Sequence, residues 1–237
     1  MTAFLALSKV TKRVGSTLAV HDIDLTVATG ECVALVGPNG SGCSTLLRLM
    51  ATVIAPSAGS ITINGVDAVT HLHSVRRSLA YAGETLLEAA AMLTSEYLDF
   101  VRKARPGQPA RAGRETPGTG DILRRGALPP DRRVDSLSAG HRERLSLLAA
   151  IASGADCLIL DGPLSRADDT THPQLLQWLR ELRDGGTTLV LAPGRDIELR
   201  LMCDRVIQLD QGRIVSDRST GRRAESRPTL AGAGQGH

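Results

Sequence analysis

The sequence predicts an α/β fold, with a core of buried strands that carries a phosphate-type glycine loop. N-terminal antiparallel strands precede this core, and a small helical subdomain is inserted in it. Three observations predict it. The apolar run "ECVALVG" feeds straight into the glycine-rich "VGPNGSGCST" (Val36–Thr45), and the helically spaced "STLLRLMATVI" follows. Two more short apolar runs, "DCLILD" and "TTLVLAP", enclose the helical pattern "HPQLLQWLRELRDGG". Between these halves, from about residue 84 to 136, the pattern turns helical and then rich in Pro and Gly. A length of 237 residues suits one large α/β domain, or such a domain with a small insertion.

Taken in order, "FLALSKVT" and "AVHDIDLTVATG" alternate with period 2 and predict two short strands. The helix in "STLLRLMATVI" is expected to stop ahead of Pro56, because the residue before a proline disfavours helical angles. "GSITING" reads as a strand with a turn at Asn64-Gly65. In the insertion, "LLEAAAMLTSEYLDFVRKAR" reads as helix with a break near Thr94. "PGQPARAGRETPGTG" then gives a mobile loop over about 105–120, and "DILRRGAL" a short helix. "LSAGHRERLSLLAAIASG" opens a helix with Ser138 as N-cap and Leu145, Leu148, Ala149 and Ala152 as its apolar face. "DRVIQLDQGRIVSD" closes the fold as a hairpin. The folded domain is placed at residues 1–217, and the apolar-poor tail 218–237 is expected to be disordered.

Apolar residues make up 42% of the chain and aromatics only 2%, so the core must come from Leu, Ile, Val and Ala. A net charge of +3, without aromatic stacking platforms, argues against a nucleic-acid partner. Cys32, Cys43, Cys157 and Cys203 lie far apart with no C-x-x-C spacing, which suits reduced thiols in the cytosol. No run of 18 apolar residues and no basic-then-apolar leader is found, so membrane association is expected to come through a partner.

The pattern G-x-x-x-x-G-K-[ST] fits Gly37, Gly42 and Ser44, but its lysine position holds Cys43. Further segments follow in order: "LSAGH", "CLILDGP", "LSRAD" and "CDRVIQLDQGRIV". This ordered set, over roughly residues 5 to 216, resembles the nucleotide-binding subunit of ABC transporters. The resemblance implies a P-loop NTPase (RecA-like) core with ATP and Mg²⁺ as cofactors. It assigns nucleotide binding to Gly37, Pro38, Asn39, Gly40, Ser41, Gly42, Cys43, Ser44 and Thr45. Ser44 and Asp161 would hold the metal, and Leu137, Ser138, Ala139, Gly140 and His141 would form the signature. It also implies a membrane permease as partner, and pairing with a copy of itself or with a second nucleotide-binding subunit. The subunit would then lie at the cytoplasmic face of the membrane through that permease.

Against that family pattern the chain departs at several positions. Besides Cys43, Gly162 stands where the family's catalytic glutamate follows the aspartate. Glu84 stands at the glutamine position, and Gly194 or Arg195 at the histidine position, depending on the anchor used. Val14 replaces the aromatic that stacks on adenine. The lysine loss and the Glu84 gain outweigh the Gly162 loss, leaving the site about one unit more negative. Facing a polyanion at ~5 Å and an effective dielectric near 20, that unit is worth roughly 3 kcal/mol. Cys43 itself has two readings: a thiol acidified by the helix N-terminus, or a small neutral filler. Three functions follow from the resemblance. The first is a transport subunit whose own site is degenerate and weakly or non-hydrolytic. The others are a slow transport ATPase and a pseudo-ATPase scaffold.

Overall fold

Two long N-terminal strands, β1 (Ala3–Val14) and β2 (Thr17–Ala28), pair antiparallel, with β4 (Ala58–Ile63) on the other side of β1 and the short β5 (Val66–Asp67) beyond it. The computed structural model describes residues 2–83, 91–104 and 117–221. The β4–β5 turn is the expected Asn64-Gly65, with φ values of 51° and 76°, the doubly left-handed pair that tight hairpins favour. The alternation expected in β1 is imperfect. Phe4 and Leu5 are both buried, because register shifts between Ala3 and Leu5 and again after Leu7 turn neighbouring side chains to one face.

The second sheet has the order β10-β9-β3-β8-β7-β6. Its parallel members are β3 (Cys32–Val36), β6 (Leu79–Ala82), β7 (Cys157–Asp161), β8 (Thr188–Ala192) and β9 (Arg205–Asp210). β10 (Arg213–Ser219) returns antiparallel as the terminal hairpin. Alternate residues of each strand serve different cores. Val33, Leu35, Ile159 and Val190 pack with the first sheet and with α1 (Cys43–Met50). Ala34, Leu158, Leu160, Leu189 and Leu191 pack against the helices of the opposite face.

Helix α1 ends at Met50, five residues before the sequence expectation allows, and Pro56 is not what stops it. Thr52 adopts φ 56°, and Val53 then donates back to the Arg48 carbonyl at 2.9 Å, a left-handed helix stop. A single helical turn, α2 (Leu72–Val75), precedes β6. Among the described residues of the insertion are α3 (Thr94–Lys103) and α4 (Thr119–Arg125). The break expected near Thr94 is where α3 begins. Residues 86–90 of the expected helix, 105–116 of the expected loop and 222–237 of the expected tail lie outside the described residues, while 119–120 already belong to α4 and 218–219 of the expected tail to strand β10.

Helix α5 (Ala139–Ala152) starts at its predicted N-cap, the Ser138 hydroxyl accepting from His141 N at 3.2 Å. Its burial departs from the single face expected. Every residue from Arg144 to Ala152 is buried, because α3, α4, β6 and β7 enclose the helix. α6 (His172–Asp184) and α7 (Ile197–Leu201) complete that layer.

Candidate functional site

The loop from β3 to α1 takes its shape from glycine. Gly42, at φ 102°, caps the helix, and a Cβ there would lie 2.5 Å from the Ala19 carbonyl oxygen; both conformation and space exclude a side chain. Ser41 is buried, and its carbonyl accepts from Gly212 N at 2.9 Å, so the terminal hairpin holds the loop from beneath. Gly37 to Gly40 stay exposed. The N-terminus of α1 thus opens, with its first-turn amides lacking helical partners, onto a groove of about 910 Å³. Gly37 to Thr45 form its floor. Val14, Thr17, Leu18, Ala19 and Gln211 wall one side, and Asp161, Gly162 and Gly194 reach it from the ends of β7 and beyond β8.

Ser44 donates its hydroxyl to Asp161 Oδ1 at 3.1 Å, bringing together two residues separated by 117 positions. Tyr81 donates to Asp161 Oδ2 at 3.5 Å. A hydroxyl and one carboxylate are hard oxygen donors of the kind Mg²⁺ takes when phosphates supply the remainder, so the donor set fits that ion. Among the described residues no cluster of three or more His, Cys, Asp and Glu forms a self-sufficient metal cage.

The charge around this cradle is thin. Cys43 replaces the expected cation, and its thiol is pushed up from the ordinary range, first by burial and further by Asp161, with the Ser41 hydroxyl opposing. That direction favours the small neutral filler over the acidified thiol, with desolvation of the half-buried sulfur as the largest cause. Lys9 is engaged with Asp24 at 2.7 Å, and Lys12 donates to the Ala55 carbonyl at 2.7 Å. Gly162 has φ 64° and donates its N–H to the Ala192 carbonyl at 3.0 Å. Of the two alternatives at the histidine position, Gly194 lines the groove, whereas Arg195 is exposed and outside its lining. Glu84 lies outside the described residues.

A second cavity, of about 690 Å³, joins Ser44, Asp161 and Gly162 to the start of α5 through Leu137 and Ala139. The rest of the signature does not line it: Ser138 is exposed, and Gly140 packs closely on the Arg166 carbonyl, with His141 alongside. Sequence reasoning missed three residues here. Arg48, one turn after Ser44 on α1, brings a cation to the Asp161 side and bonds Tyr81. Glu143 accepts Ser165 Oγ at 2.7 Å and Arg166 N at 3.1 Å, tying α5 to the loop after β7. Arg144, buried, reaches Asp168 at 2.9 Å in the same loop. The signal for Arg48 is the i, i+4 spacing from Ser44; the other two sit in the polar stretch 141–144 that opens α5 and carry no comparable spacing signal.

Comparison with known proteins agrees with this geometry. The family model described as ABC transporter matches residues 20–165. The sulfate/thiosulfate import ATP-binding protein CysA of Mycobacterium tuberculosis is 33% identical over 215 residues, covering 90% of this chain and 61% of its own length. The chain therefore spans about three fifths of that relative. A solved ATP-binding subunit of an ABC transporter superposes with a TM-score of 0.81 at 24% identity, covering 93% of this chain and 92% of its own. A dimeric ATP-binding cassette in a post-hydrolysis state, bound to ADP and Pi, gives 0.78 at 22% identity, covering 91% and 98%. The glycine loop, the start of α5 and the strand ending at Asp161 all fall inside the matched span, and on that ground the chain belongs to the ABC transporter family.

Proposed function

We propose that this subunit works with a separate membrane permease and that its own site holds nucleotide phosphates weakly and does not turn them over. The carrying observation is Gly162 at φ 64° beside an intact glycine loop. The carboxylate that would orient a water is gone, and the backbone has settled where a glutamate is disfavoured. Ser44 and Asp161 are the residues that would hold Mg²⁺, whose role when bound is to neutralise phosphate charge. The loop amides cradle the phosphate chain, and no lysine backs them. Phosphoryl transfer relies on positioning and charge neutralisation, and both are weakened here.

The subunit acts as one of a pair, with itself or with a second nucleotide-binding subunit. Ser138 and Gly140 would complete the partner's site; the exposure of Ser138 and the dimeric state of one solved relative support this reading. Attachment at the cytoplasmic face would come through the permease; among the described residues no helix is long and apolar enough to cross a membrane. The test is Mg-ATP binding and turnover by the unaltered chain beside Cys43→Lys/Gly162→Glu. The unaltered chain is expected to bind weakly with no measurable turnover, and the double variant to bind more tightly. Turnover of about 1 s⁻¹ or faster by the unaltered chain, within the usual enzyme range, overturns the proposal.

A further inference from the structure

We infer that the groove recognises its ligand through the phosphate chain alone: it takes Mg-bound di- and triphosphate anions without reading the base. The inference rests on the phosphate-binding reading above and concerns the opposite wall of the same groove. That wall is Val14, Thr17, Leu18, Ala19 and Gln211. Val14, the last residue of β1, is 57% exposed, and the Gly15 beside it has open space where a Cβ would stand. The hairpin tip offers a small aliphatic surface with nothing among the described residues folded over it.

Proteins hold bases chiefly by stacking them on aromatic faces, which contribute severalfold to a hundredfold in affinity per base. This chain has two Phe, two Tyr and one Trp, and the described residues contain all five. Phe4, Tyr97 and Trp178 are buried in the cores. Tyr81 is committed to Asp161 at the phosphate end. Phe100 is exposed on α3 but is not part of the groove's lining. None of these five rings lines the groove. The polar side chains on that wall are Thr17 and the exposed Gln211, and an amide on an open turn offers donor or acceptor to any base edge. At the other end the recognising groups are backbone amides, which see only phosphate oxygens. Affinity therefore follows the number of phosphates and is indifferent to the base.

The experiment measures dissociation constants of the full chain for Mg-ATP, Mg-GTP, Mg-CTP and Mg-tripolyphosphate, which lacks base and sugar, by calorimetry. The four values are expected to agree within about threefold, and Val14→Tyr, at an exposed position, to tighten ATP and GTP about fivefold while leaving tripolyphosphate unchanged. A preference for ATP of tenfold or more over both CTP and tripolyphosphate overturns the inference and leaves the phosphate-binding reading standing. A Val14→Tyr variant that changes none of the four overturns the assignment of that position. Binding of none of the four overturns the phosphate-binding reading, and this inference with it.

Discussion

Gly162 donates to the Ala192 carbonyl from a left-handed backbone, and a Cβ there would meet nothing closer than Ser165 Oγ at 3.6 Å. Space is therefore ordinary and conformation alone is at issue. Gly162→Ala is expected to lower unfolding stability by about 1 kcal/mol, read from urea midpoints at unchanged slope. An unaltered midpoint would show that the loop relaxes to a negative φ. The same comparison explains why restoring glutamate here does more than add a side chain. The glycine loop was legible because Gly40 and Gly42 impose local conditions that favour glycine. The raised pKa of the Cys43 thiol was not, since the burial and the Asp161 carboxylate behind it come from strands distant in the sequence.

At the level of elements, the Asp168 loop shows how α5, α4 and α6 are joined. Arg144 of α5 donates to Asp168 and to Thr171 at the start of α6, and to the Ala127 carbonyl just after α4. Asp168 also accepts from Thr170 and Thr171, and these hydrogen bonds, with Arg144, hold its carboxyl well below the usual carboxylate range. A lowered folded pKa gives stability that is complete above the unfolded value of about 3.9 and is lost as pH falls below it. Asp168→Asn is therefore expected to be less stable than the parent by a constant amount from about pH 5 to 8, with the gap narrowing below about pH 4. A gap unchanged at pH 3 would mean that the carboxylate charge is not what ties the loop. Helix existence was readable from spacing, but the all-round burial of α5 was not. Periodicity reports one face, and the second comes from α3 and α4, whose position the local pattern does not encode. The end of α1 was misread for a related reason: Pro56 is visible in sequence, while the left-handed Thr52 that ends the helix carries no residue-type signal.

Across the whole molecule, two apolar cores share the mostly parallel six-stranded sheet, and the glycine loop lies where the two sheets meet. Ala19 of β2 crowds Gly42, Gly212 of the β9–β10 turn bonds Ser41, and His21 of β2 bonds Gly212 at 2.8 Å. The order of strands along the chain gave the α/β class and the terminal hairpin. The convergence of its first and last parts on one loop appears only in three dimensions. This arrangement has a consequence for the order of synthesis. The loop is translated early, yet the β9–β10 turn that bonds it is translated about 170 residues later, so a nascent chain that stops before β9 carries the glycine motif without that turn. Nascent chains arrested at increasing lengths are expected to gain protease protection around residues 37–44 only once Gly212 has left the ribosome. Protection gained before β9 emerges would show that the loop stands on the early strands alone.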